Sequence, residues 1–213
     1  MHLACLDLEG VLIPEVWIAV AEATGIDELR RTTRDEPDYD VLMRYRLDLL
    51  DAHGLTLTEI QRVIGTLDPM PGAVEMVAWL RERFQLIILS DTFYEFGMPF
   101  MAKLGHPTLL CHKLVIDGDR IVDYALRMPD QKRAAVQRFH ELNYRVIAAG
   151  DSYNDTAMLA EADAGILFRP PANVIAEFPQ FPVTRTYAEL QEAFLRAVEL
   201  AGLEVGLLEG DGG

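Results

Sequence analysis

Residues 3–8, Leu3-Ala4-Cys5-Leu6-Asp7-Leu8, followed at once by Glu9-Gly10, decide how this chain folds. The run has strand length and is apolar nearly throughout, where a half-buried strand would alternate. That suits a central strand of a parallel sheet, covered on both faces. It also carries Asp7, and an unpaired carboxylate inside an apolar run is costly. Residues 85–89 and 144–149 form two further runs of the same kind.

Helical patterns separate these runs. Pro71-Gly72 opens an amphipathic stretch to about Arg83, with the proline placed in a first turn. Residues 94–104 and 130–142 also read as helices. Strand and helix alternate, so the expected class is α/β, a three-layer parallel sheet. Residues 13–71 break the rhythm. Residues 15–23, 39–52 and 58–67 are all helical in period, with no convincing strand between them, and Thr56 and Glu59 have capping-box spacing. A helical insertion after the first strand is expected. Further on, a hairpin is expected at 112–126, turning at Asp117-Gly118-Asp119. A helix near 154–162, a strand at 164–168 and a last helix from Tyr187 to Ala201 should follow. The domains expected are a discontinuous core of 1–12 and 72–201, an insertion of 13–71, and a Gly-rich, acidic tail of 202–213 expected to be disordered.

The chain has 213 residues, half of them hydrophobic, with 34 acidic and 19 basic residues and a formal net charge of -15. That surface disfavours nucleic acid and anionic membrane as partners. It also repels a phosphorylated ligand, so a phosphate site must recruit its own positive charge. Cys5 and Cys111 both sit in apolar runs and read as buried thiols rather than a disulfide. No basic leader precedes the first run, and no run approaches membrane-spanning length. The cytoplasm is the expected compartment. The histidines (His2, His53, His106, His112 and His140) have no ligand spacing.

Polar residues collect where the three runs end: Asp7 and Glu9, then Ser90-Asp91-Thr92, then Gly150-Asp151-Ser152-Tyr153-Asn154-Asp155. In an open parallel sheet, ligands bind outside the carboxyl ends of the strands. Asp7 and Asp151 could share one hard cation such as Mg²⁺, which takes a few carboxylates, water and substrate phosphate. One carboxylate could then attack phosphorus and split the reaction in two. Glu9 lies two residues from Asp7, on the same side if the strand continues, and could give and take a proton. Ser90 could hold phosphate oxygens. Lys132, at the start of a helix, could neutralise the transferring group. Singly, several of these have plainer readings: a turn at Glu9-Gly10, helix caps at Ser90-Asp91 and Asn154-Asp155, a solvated face at Lys132-Arg133.

Taken in order, Asp7-Leu8-Glu9-Gly10-Val11, Ser90, Lys132 and residues 150–155 resemble the four motifs of the haloacid dehalogenase superfamily of phosphatases. The likeness runs nearly the whole chain and is nearest to the phosphoserine phosphatase group, in particular its members that also transfer the phosphoryl group to homoserine. It implies a Rossmann-like core with a small helical cap over 13–71. It implies Asp7 as nucleophile, Glu9 as acid–base group and donor of a backbone carbonyl to Mg²⁺, Ser90 and Lys132 on the phosphate, and Asp151 and Asp155 at the metal, with Asn154 near substrate. Glu15 and Arg46 would take the ammonium and carboxylate of a small phosphorylated amino acid, and Arg can grip a carboxylate bidentately. Asp91 could also meet the ammonium. Ordinary members have Asp at Glu9, Ser at Gly10 and a glycine pair at Asp91-Thr92; these departures point toward phosphotransfer beside hydrolysis. A homodimer is compatible with all of this. Other readings are a phosphatase of another small ester, a receiver-like phospho-accepting module, and an inactive ligand-binding relative.

Overall fold

The computed structural model describes residues 1–33, 35–36 and 38–209, with side chains up to residue 200. Its centre is a seven-stranded sheet in the order β4-β3-β2-β1-β5-β6-β7. The strands are β1 (His2–Leu6), β2 (Gln85–Phe93), β3 (Thr108–Asp117), β4 (Arg120–Ala125), β5 (Arg145–Gly150), β6 (Ala164–Phe168) and β7 (Val183–Thr184). All neighbours pair in parallel except β3 and β4, which are antiparallel.

The uninterrupted apolar runs have the expected cause. Side chains alternate across a strand, and β1 sends Ala4 and Leu6 into one buried cluster and Leu3 and Cys5 into another. The first cluster takes Met76, Val77 and Leu80 from α4 (Ala73–Arg81), Phe96 and Phe100 from α5 (Tyr94–Lys103), and Leu190 and Phe194 from α9 (Tyr187–Glu209). The second takes Val136 from α6 (Gln131–Glu141), Met158 and Leu159 from α7 (Thr156–Glu161), and Val174 from α8 (Ala172–Glu177). Helices therefore cover both faces of the sheet, and the three-layer α/β class holds.

Between β1 and α4 lie α1 (Val16–Thr24), α2 (Tyr39–His53) and α3 (Leu57–Thr66), plus a 3-10 turn at Asp27–Arg30. Thr56 and Glu59 form the reciprocal capping box at the start of α3. Val16, Val20, Met43, Leu47, Ile60 and Ile64 join the first cluster, so this helical segment packs as one body with that side of the core.

Some boundaries differ from the sequence reading. β1 ends at Leu6, so Asp7 and Glu9 do not share a strand; Gly10, at φ 76°, turns the chain instead. Pro71 precedes the cap of α4 rather than entering its first turn, because left-handed Gly72 is the N-cap. The expected hairpin begins earlier, since β3 starts at Thr108 to pair with β2 before it pairs with β4. The last helix is drawn past Ala201, to Glu209. No proline follows Pro182 to stop it. Residues 210–213 lie outside the described residues. Among the described residues no helix is long and apolar enough to cross a membrane.

Candidate active site

One cleft lies where β1, β2 and β5 end. Asp7, Glu9, Ser90, Asp91, Asp151 and Asn154 line it from the strand ends, Lys132 from α6, and Glu15 and Arg46 from the helical segment. Asp155 sits directly beneath, fully buried. The structure thus brings together every residue that the sequence singled out.

Strand pairing fixes Asp7, whose amide donates to the Ala149 carbonyl at 3.0 Å. Lys132 is the second position of α6, where the helix dipole disfavours a cation, and it is only 2 % exposed. Carboxylates offset that cost. The Lys132 ammonium donates to Asp7 Oδ1 at 2.9 Å and Asp155 Oδ1 at 2.8 Å, and lies 3.5 Å from Asp91 Oδ2. Burial alone would favour the neutral amine, but Asp155, Asp7 and Asp91 hold Lys132 charged well above the ordinary lysine range. Burial and the nearby Asp155 and Asp151 push the Asp7 carboxyl up, against the pull of Lys132.

Asp155 has a second task. Its Oδ2 accepts from the Asp151 and Ser152 amides at 2.9 and 3.1 Å, which shapes the loop after β5. Only glycine can precede that loop, because a Cβ at Gly150 would lie 2.3 Å from the Asp155 carboxyl carbon. A Cβ at Gly10 would lie 2.6 Å from Asp151 Oδ2. The backbone is packed around these two carboxylates at a distance no side chain allows.

Asp7, Asp151 and Asp155 offer oxygens within 4.8 Å of one another, all buried. Three buried carboxylates with one lysine leave negative charge uncompensated, and the spacing fits one hard divalent cation. The Glu9 side chain stands apart from that group. Its Oε2 accepts the Val16 amide at 2.9 Å, at the open N-terminus of α1. Burial and the neighbouring Glu15 raise its carboxyl to about 7, against hydrogen bonds from Val16 and Thr92 and the charge of Arg46.

Arg46 is buried, with its guanidinium 4.7 Å from the Trp17 ring centroid. Nη2 donates to the Arg31 carbonyl at 2.8 Å, and Nη1 meets Met43 Sδ at 3.7 Å. Its buried Nε has no partner among the described residues. Burial lowers its pKa to about 10, although Glu9, Tyr39 and Glu15 act in the opposite direction.

Sequence reasoning missed Trp17, Thr32, Thr33 and Tyr39, which also line the cleft. It also missed Gln131 and His112, both buried beside Asp91. Gln131 had one signal, its place next to Lys132. The others reach the site only through long-range packing.

A fold of this kind, with carboxylates and a lysine at the strand ends, is matched by the family model for haloacid dehalogenase-like hydrolases over residues 1–163, and the chain belongs to that family. This sets aside the receiver-like reading. Over 198 residues it is 67 % identical to the phosphoserine phosphatase ThrH of Pseudomonas aeruginosa, covering 92 % of this chain and 97 % of that relative. It is 65 % identical to a phosphoserine phosphatase of Pseudomonas syringae pv. tomato, covering 92 % and 84 %. A substrate-bound phosphoserine phosphatase complex is similar in fold, with a TM-score of 0.76 at 19 % identity, covering 90 % of this chain and 97 % of that one. A phospho-aspartyl intermediate analogue of phosphoserine phosphatase gives 0.75 at 19 %, with the same coverage.

Proposed function

We propose that this hydrolase acts on O-phosphoserine through a covalent phosphoryl group on Asp7, and that it also passes that group to an alcohol such as homoserine. The single observation that carries the substrate class is Arg46. It is a buried guanidinium in the same cleft as Asp7, with Nε unpartnered and Glu15 nearby. A buried donor without a partner is costly. A substrate carboxylate would satisfy it, while Glu15 would meet the ammonium. A sugar phosphate would bring neither a carboxylate for Arg46 nor an ammonium for Glu15. The names of the two Pseudomonas relatives support the same substrate.

In this reading an Asp7 carboxylate oxygen attacks phosphorus and the bond to the serine oxygen breaks. The proton of Glu9 goes to the departing serine oxygen. Water or a second alcohol then attacks phosphorus, Glu9 takes its proton, and the bond to Asp7 breaks. A carboxyl raised to about 7 suits a group that both gives and takes a proton near neutral pH. Lys132 and Ser90 hold the phosphoryl oxygens, and Asn154 and Asp91 border them. Asp7, Asp151, Asp155 and the Glu9 backbone carbonyl would hold Mg²⁺, which when bound supplies positive charge against which phosphate and carboxylates can approach. Residues 13–71 act as a cap that excludes water and carries Glu15 and Arg46. The substrate is a small molecule, and the enzyme works in the cytoplasm.

Phosphorus NMR tests this with the protein, Mg²⁺ and O-phosphoserine, with and without homoserine. Free phosphate is expected in the first tube, and a new ester signal beside it in the second. Arg46→Ala should lose most activity on O-phosphoserine but keep activity on p-nitrophenyl phosphate. Unchanged phosphoserine in both tubes would refute the substrate. Phosphate alone in both would refute the transfer.

A further inference from the structure

His112 belongs to no motif, yet the fold buries it beside the site. It lies on β3 opposite Phe93 of β2, only 4 % exposed. Its ring packs against Tyr39 and Phe93, at centroid distances of 5.9 and 6.3 Å. Nδ1 accepts the Arg127 amide at 3.0 Å. That bond assigns the proton of the neutral ring to Nε2, which faces Asp91 Oδ1 at 3.6 Å.

Asp91 is in turn surrounded by donors. Gln131 Nε2 reaches Oδ1 at 3.2 Å, Asn154 Nδ2 reaches Oδ2 at 3.2 Å, and Lys132 Nζ lies 3.5 Å from Oδ2. Burial favours the neutral acid. The Lys132 charge, the His112 ring N–H facing it at 3.6 Å, and hydrogen bonds from Asn154 and Gln131 nonetheless hold the Asp91 carboxyl well below the usual carboxylate range. An ammonium has three donors. Asp7 and Asp155 take two of those on Lys132; Asp91 Oδ2 lies 3.5 Å from the nitrogen without a hydrogen bond to it, which leaves the third N–H for a phosphoryl oxygen. The chain of contacts from the Arg127 amide to His112, Asp91 and Lys132 thus joins the end of the β3–β4 hairpin to the amine at Asp7.

We propose that His112 is a positioning residue: by holding Asp91 it fixes the Lys132 ammonium and the Asn154 amide in the orientation that meets the transferring phosphoryl group. The inference rests on the role assigned to Lys132 above. Its strength comes from direction. An apolar side chain could fill the same aromatic slot but would leave the Arg127 amide without its acceptor and remove the ring N–H that faces Asp91 at 3.6 Å. Partners that orient metal-ligating groups are worth about tenfold to a hundredfold in metal affinity or activity, and the lower end of that range sets the scale for a partner of Lys132.

Two amide replacements separate this from a purely structural role. His112→Gln keeps a donor at the reach of Nε2, toward Asp91. His112→Asn keeps an acceptor at the place of Nδ1, toward the Arg127 amide. Turnover of O-phosphoserine and p-nitrophenyl phosphate is measured for both, together with His112→Ala, Asp91→Asn and the double variant, and folding is checked by urea unfolding. The aryl ester needs no amino-acid recognition, so it reads the phosphoryl site even if the phosphoserine reading fails. The expected result is kcat about tenfold down in His112→Ala and His112→Asn on each ester turned over, with KM within about twofold. His112→Gln should recover at least half of wild-type kcat, and the double variant should be no slower than Asp91→Asn. A Gln variant no better than Ala, an Asn variant as good as Gln, or losses that multiply in the double variant would overturn the proposal. So would wild-type turnover by Asp91→Asn, which leaves the aromatic slot untouched and is informative even if His112→Ala fails to fold.

Discussion

Replacing Glu9 by Gln should make the protein more stable at alkaline pH. Burial and Glu15 raise the Glu9 carboxyl from 4.5 to about 7, so the folded chain keeps a proton that the unfolded chain has already released. Stability from this group is complete below the unfolded value and is lost as pH rises through the folded one. From 4.5 to about 7, at about 1.4 kcal/mol per pH unit, the loss is at most roughly 3 kcal/mol. Gln is isosteric, can still accept the Val16 amide through its oxygen, and cannot ionise. The chain's pI is about 4.6, so pH 5.5 to 8.5 is the practical window, and it captures about 2 kcal/mol of the effect. Urea unfolding of both proteins across that window, in chelator to remove divalent ions, gives the difference directly, because the other titrating groups are common to both. The Gln variant should gain about 2 kcal/mol on wild type between the two ends. Parallel stability curves would refute the reasoning, because Glu9 would then be ionised in the fold and unable to give a proton at neutral pH.

Gly10→Ala should cost about 1 to 3 kcal/mol in urea unfolding, since φ is 76° and the new Cβ would lie 2.6 Å from Asp151 Oδ2. Gly25→Ala, at φ 72° with nothing within 4 Å, isolates the backbone strain; only Gly10→Ala should also weaken the rise in Tm on adding Mg²⁺. Arg44 and Asp123 join α2 to β4 through an exposed 2.6 Å ion pair. A double-mutant cycle there should give less than about 1 kcal/mol of coupling, falling further at high salt.

The sequence was most legible where one segment decides its own environment. β1, β2 and β5 are buried on both faces, so their apolar runs stand out without any knowledge of neighbours. A carboxylate such as Asp7 at the end of such a run reads as functional because burial without a partner is costly. β7, only Val183–Thr184, is too short to have a period. Its pairing depends on β6, and nothing in the two residues themselves reveals it. Tyr39 reaches the Asp91 carbonyl at 2.8 Å across 52 positions of sequence. His112 meets Asp91 only because β3 pairs with β2. Contacts of this kind are set by register between strands and by how α2 packs, and local pattern does not encode either.

The charge balance of the cleft explains why its parts come from so many elements. Asp7, Asp91, Asp151 and Asp155 crowd one end, and Lys132 is the cation bonded among them. With a net charge of -15, the surface gives a phosphate ester no long-range help. Each additional carboxylate makes its neighbours harder to ionise, and the raised carboxyls of Asp7 and Glu9 record that strain. A divalent cation held by Asp7, Asp151 and Asp155 would relieve it for Asp7, whereas the Glu9 carboxylate stands apart from that group. Arg46 relieves it in part for Glu9 on the other side of the cleft, from a different part of the chain. Positive charge is thus supplied at two separate points, one for the phosphoryl end of a ligand and one for its far end. A ligand that carries negative charge at only one end would leave the other point without an anion to meet. The arrangement therefore favours a ligand with a phosphate at one end and a carboxylate at the other, which O-phosphoserine has.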